Sequence, residues 1–472
     1  MFQTLPLELI CKIINHLPIE SILRLRRVSK HLNQVTYDRS IWDHAYRTCA
    51  LVLPPGPFTW QTAHTLESNL VQSARLSLNW PPNPDAKPVR VRSMNLPHFE
   101  SKFALICGRW LVAIRRNEAS QIVCYDMDKA EEPTAEEEES YTILYECPEK
   151  DAMIEQLFAA TFLSEIRDDA IGIVVIMVSN AASSLLWRTL YRVIADGTSP
   201  SPQLSMVLRT NATSTSRSLV ATGPKLVALY YEAQTELRDV SLIDIESYQQ
   251  YQLPERDSNP DEDNDYTLII SSTHVITIGE YGYQGTLIQA YKIPQPQVSR
   301  SSTAITLQLS HEGMVPTEFS FGAKLLRDSK VDQLTQITRI VAVNTIHPDR
   351  SAGAETIILH PAPRGLGSIT VDLPSPYLLA GASGFEIVQP SFNGMTRGIR
   401  CYHMAGFMHC TAFVLDDEDD ENSQRAVVHD MKCFRELRLV YGSRRAAVFD
   451  AFRGRIITTC RNRQTLTVVD FV

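Results

Sequence analysis

Residues 122–126 read Ile-Val-Cys-Tyr-Asp, a short apolar run that is closed by an aspartate. Similar runs end in aspartate at 240–244, 446–450 and 466–470, and an aspartate there can accept a hydrogen bond from the following backbone and start a turn. Apolar runs of four to eight residues between turn residues predict strands. Runs that predict strands are 103–106, 110–114, 121–125, 141–145, 171–178, 226–231, 240–243, 268–270, 275–278, 340–343, 446–449, 456–459 and 466–469.

The predicted strands form a long all-β region over residues 101–472. This region is too long for one β-sandwich, and its strand spacing favours a β-propeller of six or seven irregular blades with about 45 to 60 residues each. The Gly-His and Trp-Asp markers of WD-type blades are missing from it, so the repeat is degenerate. A pair of β-sandwiches and an irregular β-solenoid remain as alternatives.

Composition and charge limit the classes of function. The chain has 472 residues, 44% of them hydrophobic, and its 45 Lys and Arg against 54 Asp and Glu give a net charge of −9. This balance excludes the broad basic surface of a bulk nucleic-acid binder. No apolar run approaches the roughly 20 residues of a membrane helix, and residues 1–18 lack the pattern of a secretory signal. Nine scattered cysteines without a Cys-x-x-Cys pair are typical of reduced thiols, so we expect a cytoplasmic or nuclear protein, or both.

The first fifty residues have the period of helices. They carry seven Lys and Arg against four Asp and Glu, a net of +3, which leaves −12 for the rest of the chain. Leu5, Leu9, Ile13 and Leu17 recur every four residues and predict a helix over about 6–16 that ends before Pro18.

Two more short helices are predicted before residue 50. The second one, capped by Glu20 or Ser21, has apolar residues at helical spacing and basic residues on its flanks. Its apolar positions are Ile22, Leu25, Val28, Leu32 and Val35, and its flanking basic residues are Arg24, Arg26, Arg27 and Lys30. Asp38 is the predicted N-cap of the third, which carries Ile41, Trp42, Ala45 and Tyr46. The apolar side chains of these helices exceed what three short helices can bury among themselves, so the surplus needs a partner or a neighbouring domain.

This stretch resembles an F-box. The resemblance is carried by 5–10 (Leu-Pro-Leu-Glu-Leu-Ile), Ile14, 17–18 (Leu-Pro), 21–30 (Ser-Ile-Leu-Arg-Leu-Arg-Arg-Val-Ser-Lys), Leu32 and 41–42 (Ile-Trp). It implies that the module binds a Skp-family adaptor and, through it, the cullin and RING proteins of an SCF-type ubiquitin ligase. The residues that it implies at the adaptor surface, or in support of it, are Leu5, Pro6, Leu9, Pro18, Ile22, Leu25 and Val28. Trp42 is at the position where the third helix is anchored, and Ser21 replaces a common acidic residue.

Two other interpretations of the basic, helical start remain open. The helices can form a cap that packs on the large domain, or the basic helix can bind DNA, although no second groove-reading element follows. For an F-box, Arg24, Arg26, Arg27 and Lys30 would steer the module toward an acidic partner surface and raise the association rate more than the affinity.

A proline-rich connector is predicted between the helical start and the β region. Residues 54–57 (Pro-Pro-Gly-Pro) and 81–84 (Pro-Pro-Asn-Pro) are strong breakers. Between them Leu66, Leu70, Val71, Ala74 and Leu78 have helical spacing. The expected organisation is an F-box domain over 1–50, a connector with one helix over 51–100 and a β-propeller-like, substrate-binding domain over 101–472.

Several residues have part of the pattern of a metal site, but structural roles explain them better. Asp261, Asp263 and Asp265 have the spacing of a calcium loop, but Tyr266 and Ser272 replace the glycine and the glutamate that such a loop needs. The acidic runs 136–139 and 416–421 are expected to be exposed loops. A zinc site is disfavoured because neighbouring strand residues point to opposite faces. The residues of that candidate site are Cys401, His403, His409 and Cys410.

Motifs of known catalytic or nucleotide sites are missing. Gly279, Gly282 and Gly285 have the wrong spacing for a dinucleotide loop, and the sequence has no Gly-x-Ser-x-Gly, Walker or His-Glu-x-x-His motif. We therefore predict a non-catalytic substrate receptor without cofactor or metal, whose partners are the adaptor and an unknown protein substrate. The alternatives are an F-box scaffold that acts outside a ligase, and an enzyme or sugar-binding propeller with an incidental helical start.

Overall fold

The structure of the protein is a computed structural model. The parts of the chain that it describes are residues 5–49, 51–79, 89–95, 99–116, 119–128, 141–148, 152–161, 170–180, 185–195, 201–211, 218–223, 226–231, 240–254, 266–280, 285–294, 304–315, 324–331, 335–344, 353–363, 365–372, 384–389, 396–404, 407–415, 426–430, 447–459 and 465–471.

The described helices all lie in the first 79 residues. They are α1 (Leu7–Ile14), α2 (Ile19–Leu25), α3 (Lys30–Val35), α4 (Arg39–Thr48) and α5 (Ala63–Asn79). We call α1 to α4 the head; α5 is the helix expected between the two proline clusters. None of these five helices combines the length and the apolar composition that crossing a membrane requires.

The prediction of three helices before residue 50 is wrong, because its second helix is two helices. Ser29 has extended backbone angles, and its hydroxyl accepts a hydrogen bond from the backbone N–H of Leu32 at 3.2 Å, which caps α3 and ends the preceding helical run. The predicted cap of α2 is also wrong, since α2 begins at Ile19 with Pro18 at the N-cap. Asp38 caps α4 as predicted, accepting from the N–H of Ser40 at 2.8 Å.

The described strands, apart from one short strand, fall into seven groups of four that pair antiparallel within each group, and we number these groups as blades in chain order. Blades 4 and 5 are joined through their last strands into one eight-stranded sheet. Blade 1 holds β2 (Phe99–Ile106), β3 (Trp110–Arg116), β4 (Ser120–Asp126) and β5 (Thr142–Glu146). Blade 2 holds β6 (Ala152–Thr161), β7 (Ala170–Asn180), β8 (Leu185–Ile194) and β9 (Gln203–Asn211). Blade 3 holds β10 (Ser218–Thr222), β11 (Leu226–Tyr231), β12 (Ser241–Asp244) and β13 (Gln250–Gln252).

Blades 4 to 6 continue the pattern with one irregular addition. Blade 4 holds β14 (Tyr266–Ile270), β15 (His274–Glu280), β16 (Thr286–Lys292) and β18 (Gln308–Val315). The short β17 (Ile305–Thr306) pairs in parallel with β13 of blade 3. Blade 5 holds β19 (Lys324–Val331), β20 (Thr338–Asn344), β21 (Gly353–His360) and β22 (Gly367–Asp372). Blade 6 holds β23 (Gly384–Gln389), β24 (Thr396–Met404), β25 (Phe407–Leu415) and β26 (Ala426–Asp430).

Blade 7 joins the two ends of the β region. It holds β27 (Ala447–Asp450), β28 (Arg455–Thr459) and β29 (Thr465–Asp470), and its fourth strand is β1 (Arg90–Asn95), which pairs with β29 along its whole length. This strand lies inside the range that the sequence predicts as the connector. The pairing therefore ties the start of the β region to the end of the chain.

The blades form a closed ring. The first strand of each described blade contacts the first strand of the next, in the order β2, β6, β10, β14, β19, β23 and β27, and β27 contacts β2. Apolar cores fill the spaces between neighbouring sheets, for example Ile106, Val112, Ile154 and Ile176 between blades 1 and 2. The region is thus an all-β, β-propeller-like fold of seven described blades, as predicted, rather than a pair of sandwiches or a solenoid.

Three of the four strand-closing aspartates start turns as predicted. The carboxylate of Asp126 accepts from the N–H of Asp128, that of Asp244 from Glu246 and Ser247, and that of Asp450 from Arg453. The fourth aspartate, at position 470, instead accepts a hydrogen bond from the Nε of Arg455 at 2.5 Å.

Arg455 is part of an ion-pair network where blade 7 meets blade 1. Its side chain is 8% exposed, and its Nη1 donates to the backbone oxygen of Gly108 and to Asp128 of blade 1. Arg109 and Arg453 also pair with Asp128. Although burial raises the pKa of Asp128, the coulombic effect of the three arginines outweighs it and lowers that pKa. The network therefore links the two blades that close the ring.

Candidate protein-binding surface of the helical head

The head has an apolar core to which the connector contributes. Ile10 and Ile14 of α1, Ile22 of α2 and Trp42 of α4 are buried. They pack in one cluster with Leu66 and Leu70 of α5. The helix between the proline clusters therefore completes the core of the head, which a unit of this size needs for stability.

Other large apolar residues of the head face solvent. They are Leu5, Leu7, Leu9 and Ile13 on or next to α1, and Val28 in the turn between α2 and α3, with exposed fractions of 37 to 69%. Pro6 and Pro18 are exposed as well. We call these seven residues the apolar head surface. Leu9 and Ile13 each precede a core residue by one position, so the 100° turn per residue directs them away from the core.

The predicted adaptor residues divide into three groups. Leu5, Pro6, Leu9, Pro18 and Val28 are exposed, and Leu25 is half-buried. Ile22 is 1% exposed and belongs to the core of the head. The predicted set does not include Leu7 and Ile13, which are also exposed. Ile13 continues the four-residue spacing of Leu5 and Leu9, so this spacing is the sequence signal for it.

The basic residues near this surface are not equivalent. Arg24, Arg27 and Lys30 are exposed. Arg26, in contrast, donates two hydrogen bonds to the carboxylate of Glu67 on α5, at 2.6 and 2.7 Å. These hydrogen bonds raise the pKa of Arg26. The inclusion of Arg26 among the steering charges is therefore wrong, because its charge is neutralised inside the protein.

Thr36 connects Arg26 to the core of the head. The Nε of Arg26 donates to the hydroxyl of Thr36 at 3.1 Å, and the indole N–H of Trp42 donates to its backbone oxygen at 2.8 Å. The guanidinium also lies 4.3 Å from the ring centroid of Tyr37. These contacts join α2, α4 and α5, and they hold the helices that carry the apolar head surface.

The connector also packs on the propeller-like region. Arg39 of α4 donates to the backbone oxygens of Phe58 and Gln61, at 2.8 and 3.0 Å. Phe58 is buried in the core between blades 1 and 2, and Trp60 stacks on it with ring centroids 5.6 Å apart. Trp110 is buried in that same core. The head is thus attached to the blades through a packed aromatic contact.

A second contact joins α5 to blade 7. Leu76 is fully buried, and a Cβ atom at Gly454, in the turn between β27 and β28, would lie 2.5 Å from its Cδ1. Gly454 has a φ of +60°, which disfavours other residues. Position 454 therefore requires glycine both because of its φ and because a side chain there would clash with Leu76.

We expect Gly454→Ala to lower the free energy of unfolding by about 2–5 kcal/mol, as a left-handed alanine costs about 1–2 kcal/mol and overpacking adds about 1–3 kcal/mol. Gly365→Ala is the matched control, because Gly365 has a φ of +82° and open space around its Cβ position. Denaturant unfolding of both variants measures the difference. Equal losses in the two variants would contradict a tight contact between α5 and blade 7.

Most of the other candidate sites lie partly or wholly outside the described residues. These are the aspartates at 261, 263 and 265 and the acidic runs 136–139 and 416–421. In the backbone pairing of β24 and β25, Cys401 lies opposite Cys410 and His409 lies opposite Tyr402. Among the side chains that the structure describes, no group of three or more His, Cys, Asp or Glu is placed to hold a metal ion. Gly279 lies in β15 and Gly285 precedes β16, while Gly282 is outside the described part.

Comparison with known proteins gives a family for the head and several solved structures to which the chain is similar. Residues 2–48 match the F-box-like family. The chain is similar to the WD40 domain of SCAP from fission yeast, with 9% identity, a TM-score of 0.41, and coverage of 78% of this chain and 81% of that one. It is also similar to the Nup133 β-propeller domain of Vanderwaltozyma polyspora, with 8% identity, a TM-score of 0.38, and coverage of 80% and 97%.

A third similar structure is prolyl oligopeptidase B from Galerina marginata, with 8% identity and a TM-score of 0.39 over 84% of this chain and 50% of that one. A search of curated proteins finds no match. The family that matches the head is the one that its residues resemble. The fold of the remaining described chain follows from the topology of its blades. The chain carries an F-box-like domain, a protein-interaction module, at its amino end, followed by a β-propeller-like fold.

Proposed function

We propose that this protein is a substrate-recognition subunit of an SCF-type ubiquitin ligase. The head binds a Skp-family adaptor and, through it, cullin and RING proteins, while the propeller-like region binds a protein target. The observation that carries the proposal is the apolar head surface, whose large side chains stay exposed although the core of the head is complete. Leu9 and Ile13 are four residues apart and so adjoin on one face of α1, and adjoining exposed apolar side chains, unlike single ones, mark a site for a partner protein.

The electrostatics of the head support an acidic partner. Arg24, Arg27 and Lys30 are exposed within a few residues of Val28, and the rest of the chain carries the excess of acidic residues. Positive charges near an apolar contact raise the association rate with an acidic protein. The basic head is therefore suited to a different partner from the acidic body.

The attachment of the head to the blades supports a receptor role. A receptor accelerates ubiquitin transfer by holding the target near the loaded enzyme, so it needs a defined spacing and no acid, base or nucleophile of its own. Phe58 and Leu76 provide two packed contacts between the helices and the blades. We assign adaptor binding to 1–50, the link to 51–100 and target binding to 101–472, in the cytoplasm or nucleus as the reduced-type cysteine pattern indicates.

Co-precipitation from cells tests the proposal. The full chain is expected to bring down both the adaptor and cullin, and the double variant Leu5→Ala with Pro6→Ala is expected to lose both. Leu78→Ala is the control, because Leu78 is a 71% exposed apolar residue on α5, outside the apolar head surface. Adaptor without cullin would favour a scaffold that acts outside a ligase. The absence of adaptor, or its retention by the double variant, would contradict the proposal.

A further inference from the structure

Blades 4 and 5 are joined by hydrogen bonds. Their edge strands β18 and β22 pair in parallel, with His311 opposite Gly367 and Glu312 opposite Ser368, so the two blades form one eight-stranded sheet. An apolar core that includes Ile276 and Ile357 fills the space between them. We call this junction the blade 4–5 seam.

Two histidines lie on the face of blade 4 that carries this core. His274 of β15 is 6% exposed, and its ring centroid is 5.6 Å from that of His311 on β18, with the rings nearly perpendicular. A Cβ atom at Gly367 would clash with the ring of His311, so this imidazole packs directly against the backbone of β22. His311 therefore forms part of the contact between the blades, and His274 packs against its ring from within blade 4.

Hydroxyl groups fix the orientation of both rings. The Nδ1 of His274 lies 2.9 Å from the hydroxyl of Thr273, and the Nδ1 of His311 lies 3.0 Å from that of Ser310. A hydroxyl can donate to or accept from a neutral imidazole, so these contacts are satisfied without a charge on the ring.

The charged groups that act on this pair are bases. Lys292, which pairs with His274 at the end of β16, acts on both histidines, and His360 of β21 acts on His311. The nearest acidic residue in sequence, Glu312, follows His311 on the opposite face of β18, where its carboxylate accepts from Gln289 at 2.6 Å. Burial, His311 and Lys292 lower the pKa of His274 to about 4. Burial and the neighbouring His360 and Lys292 lower the pKa of His311 as well.

We propose that the blade 4–5 seam is an acid-sensitive joint: neutral His274 and His311 hold the two blades together, and their protonation opens the pairing of β18 with β22 while the other blades remain folded. This inference concerns the propeller-like region and is independent of the adaptor-binding proposal. It gives the propeller-like region a conformational response to acid.

The sign of the effect follows from linkage. A histidine whose pKa is lowered in the closed state stabilises that state fully above the ordinary pKa of 6.5, and this stabilisation is lost as the pH falls from 6.5 toward 4. For His274 alone, the equilibrium constant for opening is expected to rise by at most about 30-fold between about pH 7.5 and pH 5, the limit for a pKa that returns to 6.5, since His311 and Lys292 stay beside it on blade 4. The lowered pKa of His311 acts in the same direction.

Hydrogen exchange of the full chain measures this opening directly. After correction for the intrinsic pH dependence of exchange, amides of β18 and β22 are expected to exchange at least about 10-fold faster at pH 5 than at pH 7.5. Amides of β7 and β8 in blade 2 are the internal reference. Blade 7 is unsuitable as a reference. Burial raises the pKa of Asp450 to about 6, so acidification stabilises the folded state of that blade. Equal acceleration in blade 2, or none at the seam, would overturn the proposal.

Two further measurements separate titration from other acid effects. The double variant His274→Asn with His311→Asn is expected to lose the pH response of β18 and β22, whereas His16→Asn, at an exposed position of the head, is expected to keep it. Exchange at the imidazole C2 position of the unmodified protein reports the pKa of His274 without any variant that must fold. A value below about 5 supports the joint, and an ordinary value near 6.5 would refute it.

Discussion

Arg455→Met is expected to lower the free energy of unfolding by about 3 kcal/mol. Removal of one partner of a buried ion pair costs about 3–5 kcal/mol, since the other charge is left buried without compensation. Here Asp470 is 9% exposed and loses its 2.5 Å hydrogen bond from Arg455. The lower end of the range applies, because Arg92 remains 3.8 Å from Asp470. Denaturant unfolding of the full chain measures the loss.

Arg47→Met is the matched control for this prediction. Arg47 also pairs with an aspartate, Asp43, but its side chain is 50% exposed, so its removal is expected to cost at most about 0.5 kcal/mol. A loss below about 1 kcal/mol for Arg455→Met would show that the network between blades 7 and 1 does not stabilise the closed ring.

Leu9→Asp is expected to weaken adaptor binding at least about 100-fold. Leu9 is 46% exposed on α1, so the carboxylate stays hydrated in the free protein but must lose its water when the apolar head surface is covered. For the same reason the free energy of unfolding is expected to change by less than about 1 kcal/mol. Titration of each purified variant with the adaptor measures the affinity.

Leu78→Asp controls for the added charge. Leu78 is 71% exposed at the end of α5, so the substitution introduces the same carboxylate at an exposed apolar position outside the apolar head surface. Its affinity for the adaptor is expected to stay within about threefold of the unmodified protein. Equal losses in the two variants would mean that repulsion, rather than contact with α1, reduces binding.

Local patterns in the sequence predicted most of the elements of the fold. The run that ends at Asp126 is β4, and the run that ends at Asp450 is β27, because alternation and turn chemistry depend only on neighbouring residues. The break of the second predicted helix at Ser29 was missed because apolar spacing continues across it. The cap geometry of Ser29 competes with helical continuation, and the apolar period does not record this competition.

Contacts between distant residues could not be predicted from local patterns. The pairing of Arg90 with Asp470 and the ion pair of Arg26 with Glu67 depend on how the chain returns on itself. Contacts between distant residues also determine which apolar side chains of the head are exposed. The period of α1 predicts that its apolar residues exceed one core, but the packing of α1 to α5 into one cluster decides that Ile10 is buried while Leu9 stays exposed.

Calorimetric titration of the full chain with a purified Skp-family adaptor measures binding by the apolar head surface directly. We expect saturable one-to-one binding with a negative heat-capacity change, because apolar residues such as Leu9 and Ile13 leave water on association. The double variant Leu5→Ala with Pro6→Ala is expected to lose most of this binding. The absence of binding at about 10 μM of each protein, or unchanged binding by the double variant, would refute adaptor binding by the head.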